Sequence, residues 1–518
     1  MGLFSRTKLK MTDVGDIPTV AEPMAYMNDV WRQQQALYQE MWRYFSGEVF
    51  DETLSKRSDD LKYPLRENVF ATACFNHRAV LYGEFDDAVL SFQVKSKNAD
   101  RQTVEDALEQ MWSDSYRNSL LLENGLLSQI FGGHVLRAVY HPVYKRVFFR
   151  GVEVTTFFPV WNPDDYHELL EVFVVYPVDA RTAALRWNLN MRDIEDGQQV
   201  IVQEHWTQDK YEFTVDGKPA YWDRGHKFKI GGPNPYIDPD TERGIIPFEY
   251  FPLDRAGSFY GIPLGKDALG LQDEYNKRAA DMGDAVMEAT HMYKFLVGRS
   301  KGTKGLEHLD RVGLNDLGME APGRPAPEVF TVDSAKIPTG APEWVAGLRG
   351  GSRAAMFDPA IAHGEDEGSQ RSMLTLAFRM WPMTSKVRAT RGLWNECFRS
   401  LHRKALIMAA AKGGYNIHSG RKQHTYYTVP LWSPMLPRDR EQQVNEVVLR
   451  VQTGIISRER AIEILENKDS TWIAEEIARI KADEHQQDDR QIKVQEAQQK
   501  QQQMAMRQAG AKPPKSKE

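Results

Sequence analysis

Residue types able to do chemistry are thinly spread along this chain. The densest group is Glu365-Asp366-Glu367, inside a stretch over 358–369 that also holds His363, Gly364 and Gly368. Clustered carboxylates are the ligands a hard divalent cation takes. Adjacent ones on an extended loop point apart, however, and the competing reading is a solvated charged loop. The thirteen histidines include no His-Glu-x-x-His, and His418 and His424 have no nearby Cys or carboxylate to complete a metal set. A phosphate-cradling loop needs Gly-x-x-x-x-Gly-Lys-Ser/Thr, so that backbone donors and the Lys converge on the phosphates. The nearest approach, Gly298-Arg299-Ser300-Lys301-Gly302-Thr303-Lys304-Gly305, lacks the contiguous Gly-Lys-Ser/Thr and reads as a flexible basic loop. There is no Gly-x-Ser-x-Gly nucleophile elbow. With no catalytic constellation in view, the expectation is a non-enzymatic protein with no catalytic residues, cofactor or metal.

Composition narrows the class further. The 518 residues are enough for several domains, and 41% hydrophobic with 27% charged residues suits a globular chain with a packed core. Nothing approaches a transmembrane span; the stretch over 168–178 is too short and carries charge. Met1-Gly2-Leu3-Phe4-Ser5-Arg6 carries no apolar core of a signal peptide, although it fits the loose pattern for myristoylation. Cys74 and Cys397 are the two cysteines, too few for a disulfide framework or a thiolate metal site, which points to a reducing compartment. A net charge of −6 argues against a protein that grips duplex DNA by neutralising phosphates over a broad surface. Any role with DNA must rest on few contacts.

Periodicity then supplies the elements that would position these residues. Met24, Met27, Trp31, Tyr38, Met41 and Phe45 recur at helical steps, predicting a helix over 24–45 that ends at Ser46-Gly47. Further helices are predicted over 66–82 and 103–130. The texture changes to β-branched and aromatic runs at 135–140, 146–149, 155–160, 171–176, 200–206 and 211–215, separated by turn clusters. Strands in succession imply an antiparallel α+β domain. Helical period returns over 264–289, is lost between 294 and 342, and resumes briefly over 344–356 before the acidic stretch. A very long helical pattern starts near Gln370 and contains Pro382, which removes a backbone donor and predicts a kink. A strand over 425–429 precedes helices over 438–452, 458–466 and 472–484, with Gly454 as a stop and Ser457 as an N-cap. The tail after Gln486 is Gln-rich and reads as low complexity, disordered or weakly helical.

Three runs in order carry a resemblance. The first is Gly244-Ile245-Ile246-Pro247-Phe248-Glu249-Tyr250-Phe251, then Tyr260-Gly261-Ile262-Pro263-Leu264, then Leu271-Gln272-Asp273-Glu274-Tyr275-Asn276. The second is 437–465, where Thr453-Gly454-Ile455-Ile456-Ser457 separates two helices. The third is Gly133-His134-Val135-Leu136-Arg137 through Phe158-Pro159-Val160-Trp161-Asn162. Together they resemble tailed-bacteriophage portal proteins, the head-to-tail connectors, and the order of elements agrees over almost the whole chain. Residues 358–369 do not align to that family residue by residue, so their role follows from position.

The resemblance implies a ring of about twelve subunits at one capsid vertex, enclosing a channel for double-stranded DNA. It divides the chain into a wing (1–263), a first stem helix (264–292), a clip (293–339) and a second stem helix (340–357). A tunnel loop (358–369), a long kinked wing helix and strand (370–435), a helical crown (436–485) and the Gln-rich tail (486–518) complete it. In that frame His363, Glu365, Asp366, Glu367 and Arg371 face DNA, with the carboxylates repelling phosphates and centring the duplex. Arg299, Lys301 and Lys304 in the clip meet DNA, terminase or adaptors, or form intersubunit salt bridges, and Pro382 marks the kink. The implied partners are further copies of the chain, the terminase large subunit, head–tail adaptors, major capsid and scaffold proteins, and DNA without sequence preference. No membrane partner is implied. The location is the portal vertex of the virion, with assembly in the host cytoplasm. The alternatives are another head–tail structural protein, disfavoured by length and element order, and a DNA-packaging enzyme, disfavoured by the missing phosphate loop.

Overall fold

The structure is a computed structural model and describes residues 25–50, 66–85, 88–95, 101–189, 197–290, 293–297, 328–332, 337–365, 373–413, 415, 417, 427–436, 440–466 and 470–509. Two compact units divide the chain, Met1–Pro430 and Leu431–Glu518. The first opens with α1 (Ala25–Ser46), α2 (Val69–Tyr82), β1 (Ser91–Lys95), α3 (Arg101–Asp114) and α4 (Arg117–Phe131). Strands follow: β2 (Gly133–His141), β3 (Arg146–Val152), β4 (Phe157–Asn162) and β5 (Asp165–Asp179). After α5 (Ala180–Trp187) come β6 (Gln199–Thr207), β7 (Lys210–Val215), β8 (Lys218–Pro219), β9 (Gly231–Pro233) and β10 (Phe248–Pro252). The remainder is α6 (Leu269–Thr290), β11 (Tyr293–Val297), β12 (Glu328–Val332), α7 (Ala341–Ala355), α8 (Met373–Arg379), α9 (Trp381–Lys412) and β13 (Tyr427–Leu431).

Within mixed α+β architecture, the strands of the two larger sheets and of the β11–β12 pair run antiparallel. A six-stranded sheet runs β4-β5-β6-β7-β8 with β9 also on β7, and a three-stranded sheet runs β10-β2-β3. On the larger sheet α5 covers one patch, burying Ala180, Ala183 and Trp187 against Val200, Val202, Phe213 and Val215. Beneath the smaller sheet, Trp112 stacks on Phe149 at 4.3 Å and on Phe92 at 5.1 Å, and Phe398 and His402 complete this aromatic core.

Helix α9 does more than pack on that sheet. Its side chains donate to the backbone at β10: Thr390 to the Leu253 carbonyl, Trp394 to Pro252, Cys397 to Tyr250 and Lys404 to Phe248. The helix positions ascend as the strand positions descend, so one face of α9 runs antiparallel along the sheet's outer strand. An unpaired strand edge invites pairing with another chain. Here a helix occupies that edge with side-chain donors.

Several boundaries differ from the sequence reading for local reasons. The helix expected over 103–130 is broken into α3 and α4 at Tyr116, whose φ is 57°. Ser115 beside it accepts the Phe149 N–H at 2.8 Å, so the break ties the helices to β3. Helix α6 starts at Leu269 and not at Leu264; residues 263–268 instead form tight turns, with Gly265 pressed against the Phe70 ring. Pro382 lies in the first turn of α9, where Met380 is the N-cap, so the expected mid-helix kink is a junction between α8 and α9. The first turn is where proline lacks no bonded N–H and its fixed φ suits the helix.

The second unit holds α10 (Arg440–Gln452), α11 (Arg458–Glu466) and α12 (Ser470–Ala509). Gly454 has φ 72°, and Ser457 accepts the Arg460 N–H at 3.2 Å as the N-cap of α11. Helix α12 runs on to Ala509, through most of the Gln-rich stretch read as low complexity, disordered or weakly helical. Gln, Ala, Lys, Arg and Met are all strong helix formers, so propensity alone favours that extension. Among the described residues, no helix is long and apolar enough to cross a membrane.

Candidate functional site

Helices α6 and α7 lie against each other, Arg278 resting over the Trp344 ring at 5.5 Å. The β11–β12 pair joins them, with Tyr293 opposite Val332 and Val297 opposite Glu328. Val297 and Glu328, the described residues on either side of 298–327, are therefore neighbours. Arg299, Lys301 and Lys304 lie in that interval, outside the described residues.

The Gln272-Asp273-x-Tyr275-Asn276 run on α6 has a structural task. Gln272 accepts the Phe70 N–H at 2.7 Å, and Asn68 accepts the Ala71 N–H at 2.9 Å, so two unpaired donors in the first turn of α2 are satisfied. Asp273 accepts the Tyr44 hydroxyl at 2.6 Å. Asn276 clasps the Glu67 backbone from both sides, accepting its N–H at 2.9 Å and donating to its carbonyl at 3.2 Å. The motif thus pins α1 and the start of α2 to α6.

The same clasp presents the Glu67 side chain to a cationic pair. Arg349 and Arg353, one turn apart on α7, face the same way. Glu67 accepts from Arg349 at 2.6 and 2.9 Å and from the Tyr275 hydroxyl at 2.6 Å. Glu365 accepts from Arg349 at 3.1 Å and from Arg353 at 2.7 Å. Burial pushes the Glu67 carboxyl up, but the bonds from Arg349 and Tyr275 and the charges of Arg349 and Arg353 outweigh it and hold it below the usual range. For Glu365 the Arg353 bond dominates and lowers the carboxyl. Tyr275 is pushed up to about 12 by burial and by its bond to Glu67.

Between α7 and Glu365 the chain turns on Phe357, at φ 57°, and forms a short 3-10 turn over Ala360–His363 closed by Gly364 at φ 74°. Asp358 is fully buried there, accepting from His363 Nε2 at 2.7 Å and from Asn76 Nδ2 at 3.3 Å. His77 Nε2 donates to the Met356 carbonyl at 2.9 Å, and burial drives its pKa down to about 4. The loop base is thus fastened to α2 through Asn76 and His77, and to α7 through two arginines, the first of which shares Glu67 with Tyr275 of α6.

Of the residues singled out from sequence, His363 and Glu365 come together at this base. Glu365 is answered by two guanidinium groups within its own chain, so its charge is compensated. Asp366, Glu367 and Arg371 lie outside the described residues. Among the described residues, no group of three or more His, Cys, Asp or Glu could hold a metal ion. Sequence reasoning missed Glu67, Asn76, Arg349 and Arg353, and met Tyr275 only as part of the Leu271–Asn276 run. The one available signal was the i,i+4 spacing of Arg349 and Arg353 on a helix leading into an acidic loop. No family model matches this chain, and no curated protein matches it.

Proposed function

We propose that this chain is a portal subunit, one copy in a ring of about twelve that surrounds double-stranded DNA at one capsid vertex. One observation carries the reading: the paired helices α6 and α7, joined through the β11–β12 ribbon, deliver the chain directly to the fastened acidic loop and then to the long helix α9. In this reading α6 and α7 form the stem, residues 293–339 the clip, residues 358–369 the tunnel loop, and α10 with α11 the crown. The clip docks the terminase large subunit and later the head–tail adaptors, and capsid and scaffold proteins surround the wing. The protein resides in the virion, after assembly in the host cytoplasm, and acts as a conduit and not as an enzyme.

The physics of a conduit supports the same reading. DNA must slide, so a tight clamp of unpaired cations is unsuitable. Arg349 and Arg353 are taken up by Glu67 and Glu365 and are not left to grip phosphates. A loop fastened at its base but continuing into Asp366 and Glu367 sets a fixed root for acidic side chains that repel the duplex. Electron microscopy of the purified full chain, with native mass for the subunit count, tests this. A closed ring of about twelve copies around an open bore is expected. A small closed oligomer without a bore refutes it.

A further inference from the structure

The solvent face of the β2–β3 hairpin carries a different charge pattern. Register sets Arg137 opposite Arg150, Val139 opposite Phe148 and His141 opposite Arg146, so these six side chains share one face. Leu136, Ala138, Val147 and Phe149 point the other way into the core. Most arginines around this face are balanced. Arg137 bonds both carboxylate oxygens of Glu204 at 2.9 and 2.7 Å, Arg146 both of Asp114 at 3.0 and 2.9 Å, and Arg117 pairs with Glu109.

Arg150 is not balanced. Glu204 is spent on Arg137 and on the Trp206 indole at 3.3 Å, and Arg150 lies over the Phe148 ring at 5.2 Å and near Tyr116. Arg186, in the last turn of α5, joins the same neighbourhood through the packing of the helix end. Asn188 donates to the Tyr221 carbonyl, the Tyr221 N–H to Trp187, and the adjoining Trp222 ring sits 4.7 Å from His141. A last-turn arginine also complements the helix dipole, but Arg150 has no such explanation. Burial and then the Arg186 charge hold Arg150 below its ordinary value, and the same two causes depress His141. Lys145 adds an exposed cation at the hairpin turn. Among the described residues, none of Arg150, Arg186 and Lys145 meets a carboxylate.

Exposed aromatics flank these cations. Tyr116 is 75% exposed and Tyr144 64% exposed, unusual values for large rings. Tyr144 lies 4.4 Å from the His141 ring. Tyr116 is held in the left-handed region, where a bulky residue is rare, and the Ser115–Phe149 bond fixes it beside Arg150. Unpaired cations interleaved with open aromatic faces are what a single nucleic-acid strand uses, the first for phosphates and the second for unstacked bases.

We propose that the outer face of the β2–β3 hairpin binds single-stranded nucleic acid, with Arg150, Arg186 and Lys145 on phosphates and Tyr116 and Tyr144 stacking on bases. The proposal stands apart from the portal reading, because none of these residues belongs to the stem or loop base. The test is fluorescence anisotropy of the full chain with a labelled oligothymidylate of about 20 nucleotides and with a matched duplex. Three phosphate contacts on a single strand give a slope of about −2 for log K against log salt. Arg150→Glu with Arg186→Glu should weaken oligothymidylate binding at least tenfold, and Tyr116→Ala with Tyr144→Ala should weaken it while leaving duplex binding unchanged. Thermal unfolding of each variant checks that these exposed changes leave the fold intact; Arg150→Gln with Arg186→Gln replaces the charge reversal if that variant does not fold. No binding by the wild type at low salt overturns the proposal, as does undiminished binding by the arginine variants. Duplex bound as tightly as single strand overturns it too. Equal displacement by polyglutamate would reassign the face to an acidic protein segment.

Discussion

Replacing Glu365 by Gln removes the charge that fastens the loop base while keeping the side chain's shape. The carboxylate accepts from Arg353 at 2.7 Å and Arg349 at 3.1 Å. Shielded hydrogen bonds to charged groups contribute about 1.5–3 kcal/mol each. Glu365 is 44% exposed, so water screens it, and the Arg349 contact belongs with surface pairs of about 0.2–1 kcal/mol. Arg353 is only 6% exposed, which puts its bond near the bottom of the shielded range. Glutamine keeps one neutral acceptor and restores part of the sum, leaving a net loss of about 1.4 kcal/mol, or roughly tenfold in a local opening equilibrium. The amides of Ala362, Gly364 and Glu365 report that opening, because they donate to the carbonyls of Pro359, Ile361 and Ala360. Hydrogen exchange read by mass spectrometry over this segment should run about tenfold faster in the variant. The β2–β3 hairpin should be unaffected. Unchanged exchange in the loop, or equal acceleration in the hairpin, refutes the assignment of Glu365 as a local fastener. The pH dependence has a fixed sign. Glu67 and Glu365 titrate below the ordinary glutamate value when folded, so their contribution is complete above about pH 4.3 and is lost as pH falls through the folded values.

Two further outcomes follow from the packing. Gly261→Ala should destabilise severely, by more than about 3 kcal/mol, because the added Cβ would sit 2.0 Å from the Gly132 carbonyl oxygen, a backbone atom that cannot rotate away. Soluble yield and melting temperature check it, and a variant that melts within a degree or two of wild type refutes it. Burial holds His134 and His402 at about 3 and His77 at about 4. These groups stay neutral in the fold but take up protons when unfolded below about pH 6.5, so stability falls with pH by up to about 1.4 kcal/mol per unit for each histidine. Trp112 donates to His402 Nε2 at 2.9 Å, which requires that nitrogen to be unprotonated. Urea midpoints between pH 7 and pH 5 should fall in the wild type and fall less in His402→Gln; equal slopes would refute the neutral assignment.

Local signals were legible wherever one element's own residues decide its form. The six strands between 133 and 215 follow β-branched and aromatic runs, and α1, α10 and α11 follow apolar spacing with their stops at Gly47, Gly454 and the cap at Ser457. The order of helices from α6 through α7 to α9 was legible for the same reason, whereas the β11–β12 ribbon between α6 and α7 was not, its interval showing only a loss of helical period. What failed locally was decided by propensity or by a distant partner. The Gln-rich stretch, for which helix was one of three readings, is helical in α12 because its residues favour helix without needing a core. The break at Tyr116 needed β3, whose Phe149 N–H finds Ser115.

The candidate site divides along the same line. An acidic loop holding His363 and Glu365 was visible as composition, and the Leu271–Asn276 run as a pattern. Its partners were not visible. Glu67 and Arg349 stand 282 positions apart, as do Asn76 and Asp358, and no periodicity links residues so far separated. A sequence records which side chains carry charge; only tertiary packing decides which charges meet. For that reason Glu365, read alone as a free repulsive carboxylate, becomes in the fold one end of a compensated bridge, while Arg150, unremarkable in sequence, becomes a cation without a counter-charge among the described residues.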